Sequence, residues 1–454
     1  MILDLLRTLV IVHARTFYSL GVTLESVPLG LTIPFDAVLS SFGEEGLVSD
    51  ARLRVLMVCS HPVQYMSPVL RRMAVHPQLD LQVGYCSLRG AQATYDPEFA
   101  ATVKWDVPLL DGYRWVEIPN QGSGSESFLG LCNPKIWNLI RDGQFDAIIC
   151  HTGYMRASFW ITFIAARLSG VPFLFGTDAN VLAPRDSSSW KIRVKKVLLP
   201  LVYSIADQVV VPSTATYKFL RSLGITADRI TLTPYSVDND WWQEQSSRVD
   251  RVAVRLAWRV DPGATVVLYC AKLQSWKRPL DLLRAFSIAA VPNSVLVFAG
   301  EGPLRSELQA EAASLGIEER VRFLGFVNQS QLPSIYTASD LMVLPSEYEP
   351  FAVVVNEASC CGCPVIASDR VGAAQDLIAP VNPSFIYPCG NVEALAQLLK
   401  VVLADPVGRA TCAHAARQRM ESWSIRENVS ATEEAIRRAI ARRNGSRTQI
   451  GIPS

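Results

Sequence analysis

Short, almost continuous apolar runs recur along the chain from Arg52 onward, each followed by a segment with the polarity pattern of a helix. Runs such as residues 53–59 are typical of strands that a parallel sheet buries on both faces. Strand and helix in repeated alternation predict an α/β fold of the doubly wound kind. Because the chain has 454 residues, which is more than one ordinary core accommodates, we expect at least two domains.

The alternation occurs twice, and a polar, weakly patterned segment at residues 238–261 separates the two series. We therefore predict a first domain at residues 51–238 (the first half) and a second at 239–420 (the second half), followed by a helix and basic tail at 421–454. Residues 1–50 contain no convincing strand or capped helix and are predicted to be an extension. Two similar α/β halves favour a ligand between them, at the carboxyl ends of the strands.

Charge and cysteine usage narrow the class of function. A formal net charge of +1 gives no electrostatic argument for nucleic-acid binding. Cys360 and Cys363 form a C-x-x-C pair, but no second pair or histidine cluster accompanies them, so we expect free thiols and no metal. No apolar run reaches the roughly 18 residues of a membrane span, and the N-terminus lacks the pattern of a signal peptide. A cytoplasmic protein is expected.

One basic cluster invites a specific interpretation. Lys191, Arg193, Lys195 and Lys196 precede an apolar run in the segment WKIRVKKVLLPLVYSI. This pattern suits peripheral docking to an anionic membrane surface, such as the inner face of the plasma membrane. The alternative is a surface helix that runs into the core.

The most informative stretch is residues 344–378, which predicts a strand, a loop, a helix at 351–361 and a further strand. Glu349 and Glu357 lie eight positions apart, roughly 12 Å along a helix, which is too far to share one proton or metal. The helix start between them offers free N–H groups and a positive dipole end, which favour phosphate. Carboxylate, anion site and carboxylate match a nucleotide sugar, although both residues could also be ordinary helix-start acids.

Other polar residues of the two halves suit the same ligand. Lys272 and Lys277 follow a strand, where they could neutralise a diphosphate leaving group or simply be solvated. Residues 300–305, GEGPLR, imitate the dinucleotide motif G-x-G-x-x-G, but Arg305 replaces the third glycine, which favours a tight turn near a phosphate over NAD binding. His151 ends a strand of the first half, where it could face the cleft or be structural.

From Arg52 to its last helices the chain resembles the retaining glycosyltransferases of family 4, the glycosyl transferases group 1 set. The resemblance rests on an ordered set of motifs: Glu349 and Glu357 fit E-x7-E, Lys272 and Lys277 fit R/K-x4-K, and GEGPLR, FLGFV and GCPVIAS followed by Gly372 occur at the expected spacing. It implies the GT-B fold, in which two doubly wound Rossmann-like domains face a central cleft.

The resemblance also implies an activity and a division of roles. A sugar would pass from a UDP- or GDP-linked donor to a glycan or lipid-linked acceptor with retention of configuration and without a metal or other cofactor, as in bacterial surface-polysaccharide synthesis. The implied catalytic residues are His151, near the reacting sugar, and Glu349, on the donor sugar. The implied donor-binding residues are Lys272 and Lys277 at the diphosphate, Gly302 in the tight turn, Phe326 and Val327 at the base, the amides of Phe351, Ala352 and Val353 at a phosphate, and Glu357 at the ribose.

The chain departs from the family pattern in the turn that precedes the second glutamate. The usual E-G-F-G is E-P-F-A here, so Pro350 removes one N–H group and Ala352 adds a methyl where glycine lets a backbone approach closely. Lys272 stands where arginine is common, which loses bidentate phosphate contact. Two alternatives share the remaining observations: a GT-B-fold sugar-nucleotide epimerase, and a catalytically weak partner subunit that binds a nucleotide sugar.

Overall fold

The computed structural model describes residues 52–96, 101–182 and 189–450. The extension predicted at residues 1–50 lies outside this part of the chain. The described residues form two parallel sheets with helices packed against them, which confirms the predicted α/β fold class.

A seven-stranded parallel sheet organises the first half. The strands in chain order are β1 (Leu53–Cys59), β2 (Leu79–Tyr85), β3 (Thr94–Asp96), β4 (Ala101–Val103), β5 (Trp115–Glu117), β6 (Ala147–His151), β7 (Phe173–Gly176), β8 (Gln208–Val211) and β9 (Ile230–Leu232). They pair in the order β5-β2-β1-β6-β7-β8-β9, while β3 and β4 form a separate antiparallel pair. The helices are α1 (Met66–Ala74), α2 (Ile136–Gly143), α3 (Ala157–Leu168), α4 (Ser189–Ser204) and α5 (Thr214–Ser222). Every residue of β7 and β8 is buried, as expected for central strands of a parallel sheet.

A six-stranded parallel sheet organises the second half in the same way. Its strands are β10 (Thr265–Cys270), β11 (Ser294–Ala299), β12 (Val321–Gly325), β13 (Leu341–Leu344), β14 (Val365–Ser368) and β15 (Ile386–Tyr387). They pair in the order β12-β11-β10-β13-β14-β15. The helices are α6 (Asn239–Ser247), α7 (Arg251–Ala257), α8 (Pro279–Ala289), α9 (Arg305–Ser314), α10 (Leu332–Ala338), α11 (Val354–Cys360), α12 (Val392–Ala404) and α13 (Pro406–Glu421).

The last helix, α14 (Ile425–Ile450), returns to the first half. Its apolar residues Val429, Ala435, Ile436 and Ala439 are buried in the same cluster as residues of β1 and β2. Helix α14 therefore packs on the first sheet and connects the two halves.

The helix expected at residues 351–361 is shorter at its start than predicted, since α11 begins at Val354. The reason is Ala352, whose φ of +86° lies in the left-handed region and cannot belong to a right-handed helix. Residues 351–353 instead form a turn that leads into α11. The predicted end is close, because Gly362 has a φ of +71° just past the helix and Pro364 follows.

All ten cysteines are free. Cys360, Cys361 and Cys363 lie in the core of the second half, and burial raises the pKa of the Cys361 thiol to about 12, so it stays protonated at neutral pH. Within the described ranges, no group of three or more His, Cys, Asp or Glu side chains could hold a metal ion. A search of the same residues finds no helix long and apolar enough to cross a membrane.

Candidate functional site

A cavity of about 510 Å³ lies between the two halves at the carboxyl ends of strands β10, β11 and β13. It is called the donor cleft after the ligand that the resemblance implies. Most of the residues singled out from the sequence line it: Lys272, Lys277, Phe326, Val327, Glu349, Phe351, Ala352, Val353 and Glu357. Two cations, two carboxylates and a turn thus converge on one site, although they come from separate stretches of the chain.

Lys277 and Glu349 contact each other in this cleft. The Lys277 ammonium forms an ion pair with Oε1 of Glu349, and the Ser346 hydroxyl donates a hydrogen bond to the same oxygen at 2.9 Å. Glu349 is only 7% exposed, so the pairing keeps a buried carboxylate compensated. Among the described residues no donor contacts Oε2 of Glu349, which leaves that oxygen able to accept a hydrogen bond from a ligand.

Glu357 also lines the cleft and lies within α11. The Tyr336 hydroxyl donates a hydrogen bond to its Oε2 at 2.8 Å. Burial raises the pKa of Glu357 to about 7, and the Tyr336 hydrogen bond only partly offsets this effect. Glu357 therefore changes its protonation state near neutral pH and could either donate to or accept from a ligand hydroxyl.

The turn between the two glutamates presents backbone amides to the cleft. In the part of the chain that the structure describes, the N–H groups of Phe351, Ala352 and Val353 donate to no protein oxygen. The turn is fixed within the second half, because the amide of Gly372 donates to the Glu349 carbonyl at 3.1 Å. A Cβ at Gly372 would lie 2.0 Å from the Pro350 carbonyl oxygen, so only glycine permits this approach. Three successive N–H groups without an acceptor among the described residues form a concave donor surface that suits an anion.

The GEGPLR turn supports the loop that carries Lys272. A Cβ at Gly300 would lie 2.0 Å from the Ala271 carbonyl oxygen, and one at Gly302 would lie 2.6 Å from that of Leu273. The two glycines therefore let the turn pack directly under residues 271–273. Gly300 lines the donor cleft, but Gly302 does not. Gly302 therefore lies behind the wall, where it supports the loop, and its contact with the donor stays a prediction.

His151 lies at the end of β6 in an adjoining cavity of about 340 Å³. The two cavities adjoin, since Tyr65, Asp178 and Tyr235 line both of them. Burial lowers the pKa of His151 to about 4, so its imidazole is neutral at physiological pH. His151 is therefore next to the donor cleft and not in its wall.

Asp178 was not identified from the sequence, although it lines both cavities. Burial raises the pKa of its carboxyl, and no ion pair to it forms among the described residues. The sequence pattern could have identified it. His151 ends β6 and Asp178 follows the neighbouring parallel strand β7. Because the carboxyl ends of neighbouring parallel strands meet at one edge, the two side chains are expected close together.

Asn180 is a second residue that the sequence reasoning missed, and it bridges the two halves. Its Nδ2 donates to the carbonyls of Glu349 and Pro350 at 3.1 and 3.2 Å. The turn that carries Glu349 is therefore hydrogen-bonded both to Asn180 of the first half and to Gly372 of the second half.

The outer edge of the cleft is bridged at the region expected to meet the base. The rings of Trp105 and Phe326 lie 6.0 Å apart across this edge. Nδ2 of Asn328 donates to the Lys104 carbonyl at 2.7 Å, and the carboxylate of Asp106 accepts from the Ser330 amide at 3.1 Å. A base bound near Phe326 would thus lie beside residues of both halves.

Helix α4 carries the basic cluster at the surface. Lys191, Arg193 and Lys196 are exposed, while Nζ of Lys195 donates to the Leu182 carbonyl at 3.0 Å. Large apolar side chains of the helix are exposed beside them: Trp190, Val194, Val197, Leu198 and Leu201. Leu199 and Tyr203, near the end of α4, are buried, so the helix lies at the surface and meets the core in its last turns.

Comparisons with known proteins agree with this architecture. Residues 254–419 match the family model for glycosyl transferases group 1, and residues 49–236 match that for a glycosyl transferase 4-like domain. The chain is 29% identical over 251 residues to the 2-deoxystreptamine glucosyltransferase of Streptomyces kanamyceticus, covering 54% of this chain and 64% of that protein. It is 27% identical over 300 residues to the sulfoquinovosyl transferase of Arabidopsis thaliana, covering 65% and 57%. The chain thus spans less than two thirds of the length of these relatives.

A solved structure extends the similarity to the whole fold. The Anabaena protein HepE, crystallised in complex with UDP, aligns with a TM-score of 0.65 and 22% identity over 84% of this chain and 99% of its own. At this identity the likeness concerns the fold alone. The second half thus matches the group 1 glycosyltransferases, the first half matches a glycosyl transferase 4-like domain, and the fold is GT-B.

Proposed function

We propose that this protein transfers a sugar from a nucleoside diphosphate sugar to a hydroxyl group of an acceptor, with retention of configuration. The observation that carries the proposal is the donor cleft, which is lined by two lysines, two buried carboxylates and three amides that donate to no oxygen of the described residues. These groups match the diphosphate, the sugar and the ribose of such a donor. The complex of HepE with UDP favours a uridine nucleotide over a guanosine nucleotide.

The cleft residues divide the chemistry between them. Lys272, Lys277 and the amides of the 351–353 turn would stabilise the leaving diphosphate without a metal ion. The bond between the anomeric carbon and the diphosphate oxygen breaks, and the acceptor oxygen bonds to that carbon on the same face. The acceptor proton passes to the departing phosphate oxygen. Glu349 would hold sugar hydroxyls, and the neutral His151 would donate a hydrogen bond near the reacting carbon.

The proposal is tested by nucleotide release from UDP- and GDP-sugars in the presence of candidate acceptors. Lys277→Ala and Glu349→Ala should abolish transfer while leaving the circular dichroism spectrum unchanged. Lys400→Ala, which removes an exposed lysine of the same half, is the matched control and should behave as wild type. Turnover at the wild-type rate in either cleft variant would refute the site assignment.

The two alternative functions give different results in the same assay. A sugar-nucleotide epimerase would convert or hydrolyse the donor without any acceptor. A catalytically weak partner subunit would bind the donor, seen as a raised melting temperature, yet release no nucleotide with any acceptor. Release that depends on an acceptor would exclude both.

We further propose that α4 docks on an anionic membrane surface, where a lipid-linked acceptor of surface-polysaccharide synthesis would be found. The exposed Trp190 and its apolar neighbours, next to Lys191, Arg193 and Lys196, suit the boundary between headgroups and acyl chains. This location would be the cytoplasmic face. Sedimentation with phosphatidylglycerol vesicles should carry the protein down, and replacing the three cations by glutamine should prevent it. Equal sedimentation with zwitterionic vesicles would contradict a charge-based contact.

A further inference from the structure

A second large cavity, of about 620 Å³, opens beside the donor cleft. Loops of the first half form most of it, and Gln64, Trp105 and Lys272 line both this cavity and the donor cleft. Its volume is within the usual range for a small-molecule site, ~300–1,000 Å³. A molecule bound there would reach a donor held in the cleft.

The charged side chains of this cavity are mostly cationic. Arg89, Arg156 and Lys272 line it, and Glu126 is the carboxylate among its described residues. His61 also lines it, but burial lowers the pKa of this imidazole and keeps it neutral at neutral pH. Glu126 is already paired with Arg156, whose guanidinium also donates to the Ser125 and Ser127 carbonyls at 3.2 and 2.8 Å. Arg156 therefore holds the wall of the cavity together, and its charge is compensated.

Arg89 differs from Arg156 in its surroundings. Within the described ranges its guanidinium has neither an ion pair nor a hydrogen bond to protein, although it lies close enough to His61 to influence that imidazole. The backbone fixes this placement, because Gly90 has a φ of +98° and a Cβ there would lie 2.9 Å from the Pro62 carbonyl oxygen. The loop after β2 is thus held against the loop after β1, with Arg89 at the cavity.

We propose that this cavity binds the acceptor, and that the acceptor carries an anionic group, a phosphate or a carboxylate, that Arg89 contacts. This inference rests on the proposed transferase function and adds the chemical class of its acceptor. A guanidinium has a planar fork of donors that matches the oxygens of phosphate and carboxylate, and no protein carboxylate among the described residues occupies it. The acceptor hydroxyl would lie at the opposite end, near Gln64 and Lys272.

The test uses protein saturated with UDP, so that a phosphate probe cannot occupy the donor cleft. Titration calorimetry compares glucose 1-phosphate with methyl glucoside. We expect the anionic probe to bind about tenfold more tightly, which is the scale of one charge-assisted hydrogen bond. Arg89→Ala should abolish this preference, and Arg89→Lys should restore part of it. Arg72→Ala, which removes an exposed arginine of α1, is the matched control and should retain the preference.

A second probe distinguishes the two possible sources of the anionic group, a lipid-linked acceptor and a free sugar phosphate. This probe is a prenyl diphosphate-linked sugar in detergent micelles. Arg89-dependent binding of this probe alone indicates the diphosphate of a lipid-linked acceptor, whereas Arg89-dependent binding of glucose 1-phosphate indicates a free sugar phosphate. Equal affinity for charged and neutral probes, no binding of either charged probe, or a preference that survives Arg89→Ala would overturn the proposal. The UDP-induced rise in melting temperature is measured in the same samples, so failure of donor binding is recognised separately.

Discussion

Ala352 holds a backbone conformation that favours glycine, and this gives a prediction whose size follows from the structure. Its φ of +86° lies in the left-handed region, at the centre of the turn between the two cleft glutamates. The turn is fixed by hydrogen bonds to the Glu349, Pro350 and Phe351 carbonyls, so Ala352 cannot relax on its own. Ala352→Gly should relieve this strain.

Three contributions decide the net change. An alanine in the left-handed region is disfavoured by about 1–2 kcal/mol, which glycine recovers. Glycine also raises the entropy of the unfolded chain, at a cost of about 0.5–1 kcal/mol. Loss of a half-buried methyl costs about 0.4 kcal/mol, half the value for one fully buried carbon. The free energy of unfolding should therefore change by between about −0.4 and +1 kcal/mol in Ala352→Gly, from these three terms.

The sharper quantity is the difference from a control glycine substitution. Ala410 is exposed within α13, where Ala→Gly destabilises by about 1 kcal/mol without relieving any strain. Equilibrium urea unfolding of both variants, followed by tryptophan fluorescence, should show Ala352→Gly to be the more stable by roughly 0.6–2 kcal/mol. If the two variants lose the same stability, the turn is not strained and the reasoning fails.

Three further predictions concern single residues of the site. Burial raises the pKa of Glu357 from 4.5 to about 7, so the folded state binds this proton more tightly than the unfolded state. The free energy of unfolding should therefore fall by up to about 3 kcal/mol as pH rises from about 4.5 to 7. Urea titrations at pH 5 and pH 8 should show this loss in wild type and not in Glu357→Gln; parallel behaviour would contradict it. His151→Ala should lower kcat at least tenfold with donor affinity kept, and an unchanged rate would make the residue structural. Because the pKa of His151 is about 4, its titration should not appear in rate profiles between pH 5 and 8. Asn180→Ala should lower kcat about tenfold, since two hydrogen bonds to the Glu349 turn are lost, with UDP affinity nearly unchanged; an equal loss of UDP affinity would argue against a positioning role.

The sequence predicts those parts of the site that depend on local pattern. Lys272 follows an apolar run, so it could be assigned to the end of a strand. Glu357 follows the turn marked by Pro350, so it could be assigned to the first part of a helix. Since the carboxyl ends of parallel strands meet at one edge, residues at several strand ends of the second half were expected to converge, and they do.

Features that depend on contacts between distant segments could not be predicted in this way. Asn180 bridges to the Glu349 turn only because the two halves meet there, a relation that no local pattern encodes. The later start of α11 reflects the φ of Ala352, in a turn that packs closely against the backbone of Gly372. The support that Gly302 gives to residues 271–273 is likewise a contact between distant segments, which the motif alone does not predict.

Under the proposed function, the ion pair between Lys277 and Glu349 would link the two ends of a bound donor. Without a ligand, the two charges compensate each other. This matters because Glu349 is buried, and an unpaired carboxylate there would be strongly destabilised. A diphosphate carries more negative charge than one carboxylate and competes for Lys277, which releases Glu349 to accept hydrogen bonds from sugar hydroxyls. Diphosphate and sugar should therefore bind cooperatively, with UDP raising the affinity for free glucose in calorimetric titrations. Lys277→Met removes the partner that UDP displaces, so the cooperativity should disappear; if it persists at the wild-type size, Lys277 does not couple the two ends.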